Sequence, residues 1–177
     1  MTRYLRFLGS GLILGLFTEV QLKLTAGVKP QGLVVALFAY PVLVTLFYAS
    51  SRMIDRVVAS TWTGDVLQYL GAGLGGLAIE WTLLGNGPAS NAFQLGMFAM
   101  WTTWGFGPRI LTRDAAIGAP VRRRFWYAFA SAALLLTVTV LLTPGPKTKL
   151  VISVLGLSGT YVIWSVWLLA IGWRARQ

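Results

Sequence analysis

Charges interrupt this chain rarely and in a regular place, at the flanks of long apolar runs. Six such runs can be read: Phe7 to Leu22, Gly32 to Ser51, Val66 to Leu84, Ala92 to Pro108, Phe125 to Thr143 and Val151 to Trp173. A helix needs about 20 mostly apolar residues to cross the hydrocarbon core of a bilayer. The runs are of that order, the first and fourth being short, and they lack the alternation of a barrel strand. The chain is therefore read as an all-α integral membrane protein with six transmembrane helices. These pair as three helical hairpins, approximately residues 1–58, 62–115 and 120–177, in a single transmembrane domain over 1–177. Composition agrees, with 56% hydrophobic and 11% charged residues against about 25% charged in an ordinary soluble domain. Turn chemistry marks the breaks at Lys29-Pro30, Asn86-Gly87-Pro88 and Pro144-Gly145-Pro146.

Basic residues set the expected orientation. Arg3, Arg6, Arg52, Arg56, Arg109, Arg113, Arg122, Arg123, Arg124, Arg174 and Arg176 fall on one side of the six runs. Lys23, Lys29, Lys147 and Lys149 fall on the other. Both termini are then cytoplasmic, in a multi-pass protein of the cell inner membrane. The opening MTRYLR with FLGSGLILGLF is read as a retained first span, since no small-x-small cleavage site follows closely. The sequence pI of about 10.7 is explained by topology and by attraction to anionic lipid headgroups on the cytoplasmic face. No soluble module is present to read nucleic acid, and none is expected as a partner.

The chain has no His and no Cys. That excludes His- or Cys-ligated metal centres, a Ser-His triad and disulfides, and no cofactor or metal is expected. Proton chemistry falls to Glu19, Asp55, Asp65, Glu80 and Asp114.

Two of those acids sit in a repeated pattern. The first run reads Gly11-x-x-x-Gly15-x-x-x-Glu19 and the third Ala72-x-x-x-Gly76-x-x-x-Glu80, with Leu16 and Leu22 matched by Leu77 and Leu83. The helices that follow close on Arg52-Met53-Ile54-Asp55-Arg56 and Arg109-Ile110-Leu111-Thr112-Arg113. The first two hairpins are read as a parallel repeat of the kind transporters use, with Ala128, Ala132 and Leu136 as a weaker third copy. Residues four apart share a helical face, and small residues let helices approach closely in lipid. Gly11 and Gly15 are expected to pack on Ala72 and Gly76, bringing Glu19 and Glu80 to similar depth in the outer half of the membrane.

Glu80 has no basic residue one turn away on its own helix. An ionisable group at that depth is a functional candidate by default. Glu19 has Lys23 one turn on, in the favourable order. Gln94, Met97, Trp101 and Trp104 share a face of the fourth run, which suits an aromatic-lined pocket with Gln94 near its mouth. Asn86 and Asn91 flank the third loop as turn and cap residues that can contribute to a vestibule. Gln21 is expected at the interface. Pro41 is expected to interrupt the second helix, and Gly105, Gly107 and Pro108 to loosen the inner end of the fourth, as hinges. Arg52, Asp55 and Arg56 are read as a cytoplasmic rim pairing among themselves and with Asp65 or Asp114.

The expected function is a transporter, channel or solute-binding membrane subunit for a small cation, proton or organic solute. Its ligand- or ion-binding residues are Glu19, Glu80, Gln94, Trp101, Trp104, Asn86 and Asn91, in an outward-facing site. The alternatives are a membrane enzyme on a lipid or isoprenoid using Glu acid–base chemistry, and a non-catalytic accessory subunit. A narrow six-helix bundle also makes a homo-oligomer or a larger membrane complex an expected setting.

Overall fold

The computed structural model describes residues 2–26, 30–89, 93–113 and 117–174, with side chains throughout these except at 22, 25–26 and 30–36. Among the described residues all regular structure is helical: α1 Arg3–Ala26, α2 Pro30–Val57, α3 Thr61–Thr82, α4 Gln94–Leu111, α5 Ala119–Leu142 and α6 Pro146–Arg174. Most of them outrun the apolar segments, because Arg and Lys flanks are themselves good helix formers. The boundaries have local causes. Ser60 caps α3 by accepting from the Thr63 N–H. Gly85 and Gly145 take positive φ of 71° and 79°, conformations open to glycine. Gly145 turns the chain into Pro146, whose fixed φ suits the first residue of α6.

Two expectations about breaks are corrected. α2 runs uninterrupted through Pro41, where Thr45 Oγ1 donates to the Pro41 carbonyl at 2.7 Å. α4 likewise continues through Gly105, Gly107 and Pro108, and every residue from Trp101 to Thr112 is buried. These are closely packed positions rather than loose ones. A Cβ on Gly105 would stand 2.6 Å from Ala72 Cβ, and one on Gly107 would stand 3.1 Å from Leu14 Cδ1.

α4 is the central helix, touching α1, α2, α3 and α6, while α5 packs on α6 and α1. This corrects the expected pairing of the small-residue stripes. α1 and α3 do not pack on one another; α4 stands between them. Gly11 faces Val44 and Pro108, and Gly15 faces Tyr40 and Trp104. Ala72 meets Gly105, and Gly76 lies directly beneath Trp101. The stripes do permit close approach, but the shared neighbour is α4.

The bundle buries polar residues alongside its apolar core, and its outside is largely apolar. Phe38, Val42, Leu46, Leu135, Leu142 and Ile163 are exposed, whereas Asp65, Gln68, Glu80 and Arg109 are buried. Among the described residues three helical segments are long and apolar enough to cross a membrane: Leu37–Val57 of α2, and the whole of α5 and α6. This distribution fits a membrane protein, since lipid tails leave the outer surface nothing polar to meet. Arg3 pairs with Asp55, Arg109 with Asp65, and Trp62 touches Trp173. These contacts gather the starts of α1 and α3 with the ends of α2, α4 and α6.

Gly71 and Gly75 of α3 have open space where a Cβ would go, unlike Gly76. Thermal unfolding in detergent should therefore separate the two faces of α3. Gly76→Ala is expected to cost about 1–3 kcal/mol through overpacking against Trp101, while Gly71→Ala is neutral or stabilises by about 0.4–1 kcal/mol.

Candidate functional site

A cavity of about 500 Å³ opens between α1, α2, α3, α4 and α6, at the end of the bundle opposite Arg109. Its walls are mostly apolar or aromatic, and both glutamates of the repeated stripe line it. Leu84 and Phe93 form exposed parts of the wall.

Glu80 projects from the last turns of α3 and is 6% exposed. Its Oε1 accepts from Trp101 Nε1 at 3.0 Å and its Oε2 from Asn86 Nδ2 at 2.7 Å. Asn86 is held over the end of α3 because its N–H also donates to the Glu80 carbonyl at 2.8 Å. The positive φ of Gly85 permits that reversal. Gln94 then braces the loop, donating to the Asn86 carbonyl at 3.2 Å and accepting from Trp81 Nε1 at 2.7 Å. Among the described residues no cationic side chain pairs with Glu80.

Glu19 is met differently. The Tyr40 hydroxyl donates to its Oε1, and Lys23 Nζ lies 3.9 Å from its Oε2. It therefore has its own cation one helical turn away. Trp104 links the two carboxylate sites, its ring centroid 4.8 Å from that of Tyr40 and 5.2 Å from that of Trp101. Tyr161 crosses from α6, donates to the Leu14 carbonyl and receives a bond from Thr18, each at 2.7 Å. Trp104 Nε1 faces this hydroxyl without reaching hydrogen-bond geometry, and it is buried with no other partner. A buried indole N–H ordinarily finds an acceptor.

Of the sequence-derived site residues, Glu19, Glu80, Asn86, Trp101 and Trp104 line one space. Met97 does so too. Gln94 does not line it and acts on it only through Asn86. Asn91 lies outside the described residues, as do Asp114 and Arg176. Gln21, expected at the interface, is fully buried and donates to Thr137 of α5 at 2.5 Å. Tyr40, Tyr161 and Thr18 were not singled out from sequence. The hydroxyl of Tyr40 falls between Ala39 and Pro41 with no motif around it, and only the fold aims it at Glu19.

The opposite end holds the larger surprise. Arg109 and Asp65 were expected on a solvated rim, yet they are 1% and 0% exposed. Arg109 Nε donates to Asp65 Oδ1 at 2.9 Å, and one terminal nitrogen donates to Ser51 O and Oγ at 3.0 and 2.7 Å. Its other terminal nitrogen lies 2.7 Å from Asp55 Oδ1. Arg113 doubles the contact to Asp65 at 2.9 and 2.5 Å. Asp55 thus pairs with Arg109 and Arg3 on other helices rather than with Arg52 or Arg56 on its own. The spacing Arg109-x-x-x-Arg113, which puts two guanidinia on one face, was the available signal. Between this cluster and the cavity lies Gln68, which donates to the Phe47 and Gly105 carbonyls at 3.3 and 3.2 Å.

Comparison with family models, curated proteins and solved structures gives no match for this chain. Its function has to be argued from its own groups. Among the described residues no cluster of three or more acidic residues could hold a metal ion.

Removing one member of a buried charge pair leaves the other uncompensated. Asp65→Asn is accordingly expected to destabilise the protein by about 3–5 kcal/mol, read as a large fall in thermal midpoint. Arg52→Gln, on the exposed face of α2, should change it by no more than about 0.5 kcal/mol.

Proposed function

We propose that this chain is a polytopic membrane transport protein that binds a small cation or organic solute in the Glu19–Glu80 cavity. The observation that carries the reading is Glu80, a buried carboxylate with two hydrogen-bond donors and no cationic partner among the described residues. A structural carboxylate inside an apolar bundle would be paired on site. One left facing an open cavity has a place for a positively charged visitor or a proton.

In this reading all six helices cross the membrane as three hairpins. The arginine-rich end and both termini are cytoplasmic by the distribution of basic residues, and the cavity opens outward. The matched stripes ending in Glu19 and Glu80 are accounted for by duplication of an ancestral hairpin. Gln68 and the Asp65–Arg109–Asp55 cluster would then shut the cytoplasmic end, and inward release of a solute would have to break those contacts.

Proteoliposome flux tests the proposal. Uptake of labelled tetramethylammonium and proton movement, read with an entrapped pH dye, should both be measured for Glu19→Gln, Glu80→Gln and the double variant. Glu80→Gln is expected to reduce flux about tenfold or more, and Glu19→Gln less. Unchanged flux in the double variant, or no flux above empty vesicles in the unaltered protein, would remove transport as the function.

A further inference from the structure

We propose that the ligand is an organic monocation, an alkylated ammonium carrying an apolar body; this rests on the transport reading above. Two features of the cavity lead there.

The first is charge. Glu19 is balanced by Lys23 at 3.9 Å, which leaves Glu80 as the only uncompensated charge among the described cavity residues. The site therefore takes one positive charge, not two.

The second is the character of the wall. A bare metal cation replaces its hydration shell with several oxygen ligands, six or more for a calcium ion. Here each oxygen of Glu80 already accepts a hydrogen bond, and much of the wall is Leu43, Ile79, Met97, Met100 and Leu157. That surface cannot dehydrate an inorganic ion. Aromatic faces beside a carboxylate do suit an ammonium whose charge is spread over alkyl groups, and Tyr40, Trp101 and Trp104 supply them. A volume of about 500 Å³ accommodates an organic molecule.

Binding selectivity in purified protein tests this independently of flux, using the intrinsic fluorescence of Trp101 and Trp104. The probes are benzyltrimethylammonium, its uncharged isostere neopentylbenzene and sodium chloride. Benzyltrimethylammonium is expected to bind about tenfold or more tightly than neopentylbenzene, and sodium to give no displacement. Glu80→Gln weakens binding of the cation about tenfold or more. Arg52→Gln, on the exposed face of α2 and outside the cavity wall, leaves it within about threefold. Equal binding of the cation and its isostere in the unaltered protein would overturn the inference without need of any variant. Sodium displacement of the probe would overturn it too. In either case measured flux would leave the transport reading standing, whereas absence of both binding and flux would end both.

Discussion

Arg109 is the group to which the rest of the bundle is fitted. A guanidinium does not give up its proton in a folded protein, so burying it requires an acceptor for each nitrogen. Those acceptors come from two different helices: Ser51 and Asp55 at the end of α2, and Asp65 at the start of α3. Their positions fix how far α2, α3 and α4 can slide past one another. Once Arg109 is seated, Gly105 lies one turn away against Ala72 and Phe47. Trp101 follows about 12 Å along the axis, at 1.5 Å per residue, and there it reaches both Gly76 and Glu80. Partners at one end of α4 thus determine what its other end presents.

The two ends obey the same rule and meet it unequally. At the arginine end, Asp65 and Asp55 answer Arg109 and Arg113, and Ser51 takes the remaining donors. Gln68 closes the next layer with carbonyls of α2 and α4. At the cavity end Glu80 has donors and no cation, and Trp104 has a donor and no acceptor. An unmet polar group inside an apolar bundle is destabilising, so its persistence needs a compensating use. This contrast, rather than the mere presence of carboxylates, is what distinguishes the cavity end from the arginine end.

The helices were legible in the sequence because apolar length and flanking charge are local properties. Their neighbours were not. In water an amphipathic stripe tells which face turns inward, but a lipid-exposed face is as apolar as a packed one, and that cue is lost. The Gly and Ala stripes of α1 and α3 announced close approach without naming the partner, and α4 took the place each was expected to give the other. Glu19 and Glu80 were found because spacing measures depth along a helix. That they face one space depended on α4 holding Trp101 and Trp104 between them. Arg109 and Asp65 were misjudged for the same reason in reverse. Their position near helix ends was clear, but sequence gives no direction around the axis, and a charge at a helix end reads as solvated unless something reveals that it points inward.

A six-helix bundle is narrow, and it opens only where its helices diverge. α4 lies at the centre and touches α1, α2, α3 and α6, and those four stand apart around it at one end. The space so created is walled by five helices of a single chain. α5 contributes nothing to that wall; it packs on α6 and α1, covering Phe17 with Phe129 and burying Gln21 against Thr137. Its work is to keep the outer sides of those helices from lipid where they carry polar groups. The cavity wall and its charge balance, with Glu19 beside Lys23 and Glu80 without a cation among the described residues, are therefore contained within one protomer.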